Sequence, residues 1–410
     1  MGHHHGFGGG GSGLGSNVLT AGAGGQYSTP DAAISAATAG QTVLILPGRY
    51  TISSGLTAAS GVAVRGLSRD QTFLTCYYTS GTPTISLAGA NTVSDLTFVS
   101  VRPGCPLRTD GPGCTTERCT MIGGSDGLVF RNSISSDLAL TNATWDATAK
   151  TVAHASLSSY TYVPGDVFVN TTAAATTKLA YLITGKVDST TIQLESGAAL
   201  KATNSSTVGG TIPFRRTIVR DCLFRDNDFD CITNDYTTSS GAYAVPSQNV
   251  LVERCGFFVE SHNQSFAGAI NAFGGTWDVR DCYMLCTRTS TSFAPSFIVV
   301  GNASATGSTV RSSNNKAYFS VSTSGKTAMI KFQHADSKYA SDVYSVNDYM
   351  ECTNGGAGGT YSVNCDTTGV TIAAASLGSL TQIGGNLHKF SQYQLGGGGQ
   401  TTYTQTHPWV

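Results

Sequence analysis

Residues 27 to 50 read YSTPDAAISAATAGQTVLILPGRY, and this stretch decides the fold. Its first part runs from Pro30 to Ala37. A proline in first position, Asp31 in the first turn and a small apolar face at helical spacing predict a short helix there. Thr42 to Leu46 is then a continuous β-favouring run, stopped by Pro47-Gly48, and Tyr50-Thr51-Ile52 begins a second strand. A short helix ahead of strand, corner and strand suits a cap. It would cover the apolar end of a stack that otherwise exposes a sheet edge to water or to another chain.

The rest of the chain is built to continue such a stack. Of its 410 residues only 12% are charged, about half the roughly 25% usual in soluble domains. Length alone would suggest two or three domains, but a solenoid grows by adding coils. A formal net charge of −1 gives no basic footprint for nucleic acid. No apolar run approaches the roughly 18 to 20 residues that span a bilayer, and the opening MGHHHGFGGGGSGLG has no hydrophobic signal region. That opening is either a native leader or the remnant of an affinity tag. As a leader, its glycines would gain order only from a partner.

Three segments share one pattern, a β-branched residue, two polar residues, a small residue, then an aromatic or apolar pair: Val219-Arg220-Asp221-Cys222-Leu223-Phe224, Val252-Glu253-Arg254-Cys255-Gly256-Phe257 and Val279-Arg280-Asp281-Cys282-Tyr283-Met284. Weaker copies lie at Val129 to Asn132, Val310 to Ser313, Asn347 to Met350 and Ser362 to Cys365. The three strong copies are 33 and 27 residues apart, a solenoid interval. Equivalent positions of stacked coils superimpose about 4.8 Å apart, so Cys222, Cys255 and Cys282 are expected as an inward ladder of buried thiols, with disulfides or metal ligation as alternatives.

The capping segment and the VRDCLF, VERCGF and VRDCYM coils resemble the pectin-lyase-like right-handed parallel β-helix superfamily. The resemblance covers about three quarters of the chain. It implies an all-β, single-stranded parallel β-helix with a short N-terminal capping helix; function does not follow, because the scaffold hosts lyases, hydrolases, adhesins and viral spikes.

From Asn142 to Ile212 the coil pattern stops and short strands alternate with turns, which predicts an inserted small β module. Removing residues 142 to 212 leaves Asn132 and Cys222 19 apart, close to one coil. The run Gly165 to Val169, followed by Tyr181 to Leu194, resembles small β-barrel modules of bacteriophage structural proteins. The expected organisation is a Gly-rich segment at 1–26, cap and first coils at 27–141, the module at 142–212, further coils at 213–380 and a tail at 381–410. The tail's closing Pro408-Trp409-Val410 reads as an apolar plug or a disordered end.

Acids cluster in Asp226-Asn227-Asp228-Phe229-Asp230-Cys231-Ile232-Thr233-Asn234-Asp235. A strand here would place Asp226, Asp228 and Asp230 on one face as catalytic carboxylates, with Asp235, Glu260 and His262 as binding residues and Glu253 approaching from the next coil. The cluster partly resembles the Asp-Asp-Cys-Ile element of polygalacturonase-type hydrolases, with Asp228 and Asp230 matching. That family's Asn-Thr-Asp, Gly-His-Gly and Arg-Ile-Lys elements are missing, with only Ile330-Lys331 left. The same acids also read as turn caps without catalysis, or as a calcium site; no other cofactor and no dedicated metal centre is expected. Cys105, Cys114 and Cys119 match no zinc spacing, leaving a loop disulfide or free thiols, with a metal needing a fourth ligand from elsewhere. His3, His4 and His5 would hold a metal only where several chains converge.

Two function classes follow. The first is a tailspike-like or head-fibre-like virion structural protein, a homotrimer that joins other virion proteins through its N-terminal segment and presents its coils to host surface polysaccharide. The second is an extracellular or virion-borne polysaccharide hydrolase or lyase using the acidic patch. Five Asn-X-Ser/Thr sequons would matter only for a third class, a secreted cell-surface adhesin.

Overall fold

A computed structural model describes residues 17–52, 55–76, 83–100, 104–130, 138–162, 166–170, 180–198, 200, 207–212, 216–234, 249–260, 268–272, 274–287, 295–300, 308–320, 327–333, 341–354, 360–366, 377–383 and 403–406. Three all-parallel sheets run through it: sheet A of twelve strands, from Val18–Ala21 to Tyr403–Thr406, and sheets B and C of nine each. From Thr42–Ile45 to Leu377–Ile383 each coil passes from A to B to C and returns to A one level along. Thr217–Arg220, Leu223–Arg225 and Asp230–Asn234 form one such coil. In register they meet Asn249–Glu253, Gly256–Val259 and Gly268–Ala272 of the next. This is a parallel β-helix.

The cap forms as its sequence dictates. Pro30–Ala36 is helical, the Thr29 hydroxyl accepts the Ala32 amide at 3.4 Å, and Ala33 and Ile34 are buried against Val43 and Ile45. Tyr50 closes the corner after Pro47, donating its hydroxyl to the carbonyls of Leu46 at 3.0 Å and Pro47 at 3.3 Å.

The A-to-B corner explains the repeated motif. Its residues Asp95, Arg118, Asp221, Arg254, Asp281, Asn314 and Asn347 all take positive φ, between 51° and 59°. Asp and Asn tolerate that conformation; arginine does so at a cost of about 1 to 2 kcal/mol. Charge alternation offsets the cost. Arg118 grips Asp95 with two bonds of 2.7 and 3.0 Å, and Arg254 grips Asp221 with two of 2.7 and 2.9 Å. One residue earlier, at the ends of the sheet A strands, Arg280 pairs with Glu253 at 2.8 Å and Arg220 with Glu117. Thus each Arg-Asp coil meets a Glu-Arg coil, and both columns are complementary.

The next column points inward. Cys119, Cys222, Cys255 and Cys282 are all buried in one core cluster. They are unpaired thiols, as are Cys105 and Cys114, which sit in separate buried places rather than in one loop. Burial pushes the Cys119 and Cys255 thiols well up, so they act as space-filling groups. Past Cys282 the column turns polar, to Asn315 and Asp348.

Between sheet C strand Asp126–Phe130 and sheet A strand Thr217–Arg220 the chain leaves the helix to form a closed antiparallel six-stranded barrel, with Trp145, Phe168, Tyr181, Ile183 and Ile192 in its own core. Its first strand begins at Leu138, ahead of the expected Asn142, because Leu138 to Leu140 pair with Gly210 to Ile212 and close the barrel. Leu138 lies opposite Ile212, so the barrel enters and leaves at one place. Excising residues 138–212 and bridging the gap with a short turn is expected to leave the β-helix soluble, with an unchanged far-ultraviolet β signature. Loss of soluble protein would instead show that the coils need the barrel.

Candidate functional site

The acidic cluster lies at a B-to-C corner, where the chain bends. Strand pairing resumes only at Asp230, so residues 226 to 229 form a turn and the expected alternation of Asp226, Asp228 and Asp230 along one strand face does not occur. Asp226 takes positive φ (55°) and braces the next coil: its amide donates to the Phe258 carbonyl and its Oδ1 accepts the Glu260 amide, both at 2.9 Å. Asn227 is buried and donates Nδ2 to the Gly123 carbonyl in the coil before. The amides of Asp228 and Phe229 donate to Gly124 and Ser125 at 2.9 and 2.8 Å. The turn is therefore stitched to both neighbouring coils.

The acids differ in what they can reach. Asp228 and Asp230 are buried, Asp226 is half-buried, and Arg225 and Glu260 pair in the open at 3.2 Å. The Asp230 Oδ1 accepts the Gly268 amide at 3.2 Å. Burial, and then the charge of Asp126, push the Asp230 carboxyl well above the usual carboxylate range, with Gly268 and Asn271 pulling the other way. Glu253 stands apart, at the end of a sheet A strand in the ion ladder. Asp235 and His262 lie outside the described residues.

Two functional candidates escaped the sequence reading. Asp126 is in register with Asp230 on the adjacent strand, so two carboxyl-bearing residues stack at the start of sheet C. The signal was present: Asp126-Gly127-Leu128 and Asp230-Cys231-Ile232 share Asp, small residue, apolar residue, but the barrel separates them in sequence. Phe229 is the other. It stands 39% exposed between the two buried acids. Among the described residues, no three His, Cys, Asp or Glu side chains converge as metal ligands.

Chemically, the corner offers an exposed ring, together with a buried carboxyl whose pKa is pushed upward in register with a second acid. No protein-family model and no curated protein matches the chain. Among solved structures it is similar to the A-module of the mannuronan C-5 epimerase AlgE6 from Azotobacter vinelandii, at 12% identity and TM-score 0.36 over 92% of this chain and 93% of that one. It is also similar to the catalytic unit of a GH87 α-1,3-glucanase from Streptomyces thermodiastaticus, at 13% identity and TM-score 0.39 over 92% of this chain and 64% of that one. A third is the Dettilon tailspike protein gp208, at 10% identity and TM-score 0.29 over 89% and 62%. These likenesses concern the β-helix scaffold.

Proposed function

We propose that this protein is a glycan-binding β-helix of a bacteriophage particle, a structural component of the tailspike or head-fibre kind, assembled as a trimer and presenting its coils to host surface polysaccharide. The observation that carries the binding reading is Phe229. A large ring held out at a corner, on a backbone whose amide is bonded to the Ser125 carbonyl, suits the apolar face of a sugar. The inserted barrel, whose sequence resembles bacteriophage structural modules, supports a place in the virion.

A second reading, a polysaccharide hydrolase, is favoured by one observation. A buried carboxyl whose pKa is pushed upward, in register with another acid, is the kind of arrangement a glycosidase uses for its general acid and its partner. Against it, Asp226 and Asp230 each accept a backbone amide from the next coil and so serve as braces. The two readings separate by experiment. The expected result is retention of the protein on immobilised bacterial polysaccharide, weakened by Phe229→Ala, without release of reducing sugar. Release of reducing sugar that disappears in Asp230→Asn or Asp126→Asn would replace the binding reading with the hydrolase.

A further inference from the structure

Sheet B carries an aromatic stripe on its outer face. In strands Gly256–Val259, Tyr283–Cys286, Lys316–Ser320 and Tyr349–Asn354, the residues Phe257, Met284, Ala317 and Met350 fill the core, so their neighbours Phe258, Tyr283, Tyr318 and Tyr349 face outward. The register places Tyr283 in one column with Gly256, Lys316 and Tyr349, and Phe258 in the adjacent column with Leu285, Tyr318 and Glu351. The four rings therefore zigzag between two columns. Successive centroids lie 5.8, 5.4 and 5.9 Å apart with interplanar angles of 39°, 37° and 45°, so each ring leans on the next across four coils. Glycine at 256 leaves room for this arrangement. A Cβ there would meet Cε2 of Phe258 at 2.9 Å, so the ring lies down over a bare α-carbon.

We propose that this stripe binds a neutral hexopyranose polysaccharide laid along the helix axis, its sugar rings stacked on Tyr283 and Tyr318. The proposal rests on the glycan-binding reading and extends it to a second face. Three features select the occupant. Charged residues sit inside the stripe's own columns, Lys316 in one and Glu351 in the other, both exposed, whereas the core of a contact between protein copies is depleted of charge. Three of the four rings carry a hydroxyl, and that of Tyr349 approaches Glu351 at 3.5 Å, giving an apolar face with a polar edge. Among the described residues the charges bordering the stripe balance, Lys316 and Arg225 against Glu351 and Glu260, and the corner at its lower end adds Asp226, so this set does not favour a polyanion. The stripe is also continuous with the acidic corner, through the Asp226 amide bonded to the Phe258 carbonyl at 2.9 Å.

The test uses the full chain on an array printed with neutral polysaccharides (dextran, laminarin, mannan) and acidic ones (alginate, colanic acid), with molar mass followed by light scattering. The wild-type protein is expected to bind a neutral polysaccharide and neither acidic one. Tyr283→Ala/Tyr318→Ala should weaken that binding at least about tenfold, the equivalent of about 1.4 kcal/mol, at unchanged molar mass. Tyr283→Phe/Tyr318→Phe, which keeps the rings, should retain most of it and shows that the sheet tolerates change there. Wild-type affinity in the alanine pair, with binding lost in Phe229→Ala, would overturn the stripe and leave the glycan reading standing. Binding to the acidic polysaccharides alone would overturn the neutral class. A lower molar mass in the alanine pair, restored in the phenylalanine pair, would assign the stripe to contact between copies. Absence of wild-type binding to all five would overturn the glycan reading together with this one.

Discussion

Cys255→Asp is expected to destabilise the protein by about 3 to 5 kcal/mol at neutral pH, the cost of a buried carboxylate without a partner. Cys255 is 2% exposed, between Cys222 below and Cys282 above. Its sulfur faces the carbonyl of Glu253 at 3.4 Å. The amides nearby are already committed, Asp221 to the Glu253 carbonyl and Gly256 to the Cys222 carbonyl. A carboxylate there would stand among two sulfurs and a carbonyl oxygen, with no cationic side chain in the column to pair its charge. Cys255→Ala, which only removes a sulfur, should cost far less. The pH dependence follows from the sign of the shift: the introduced carboxyl would have its folded pKa raised, so the loss is largest above that value and shrinks as pH falls toward the unfolded value of about 3.9. Urea unfolding of both variants at two pH values measures it. Equal, pH-independent losses would mean that this column is not closed to water.

The cap and the thiol ladder were legible because their signals are local. Pro30 and the apolar run at Thr42 to Leu46 state their geometry within a few residues, and the Val-Arg-Asp-Cys and Val-Glu-Arg-Cys segments repeat the phase at which a thiol turns inward. What escaped depends on which coil lies on which. Nothing local in the two polar residues of each motif names their partners: Arg254 meets Asp221 and Arg280 meets Glu253 only because consecutive coils carry opposite orders of charge. Asp126 and Asp230 pair across an inserted barrel, a register that no local pattern reveals. The outward rings were hidden differently. In Gly256-Phe257-Phe258 and Tyr283-Met284 either residue of the apolar pair can face the core, and the choice is fixed by the positive-φ corners at Arg254 and Asp281.

The same corner column predicts where the stack is weakest to a polar deletion. Asn315 is fully buried one level beyond Cys282, and its side chain replaces sulfur with a hydrogen-bond junction. Its Oδ1 accepts the Cys282 amide at 2.9 Å, and its Nδ2 donates to the Val279 carbonyl at 2.9 Å, the Ser312 hydroxyl at 3.0 Å and Oδ1 of Asp348 at 3.0 Å. Asp348 also accepts the Asn315 amide at 2.9 Å and the Ser345 hydroxyl at 2.6 Å. Asn315→Leu fills the volume but strips these partners, so a loss of roughly 3 to 5 kcal/mol is expected at neutral pH. Burial already raises the Asp348 carboxyl in the intact protein, against the bonds from Ser312, Ser345 and Asn315. A raised folded pKa contributes stability that is full below the unfolded value, about 3.9, and is lost as pH rises through the folded value. Removing Asn315 takes away bonds that favour the charged form, so the folded pKa climbs further and the deficit narrows on acidification. Asp348→Asn in the Asn315→Leu background should abolish that narrowing, because no proton is left to take up. Urea midpoints at pH 7 and pH 4.5 for the two variants decide it: a deficit under about 1 kcal/mol, or one that stays the same at both pH values, would mean that Asp348 is not held by Asn315.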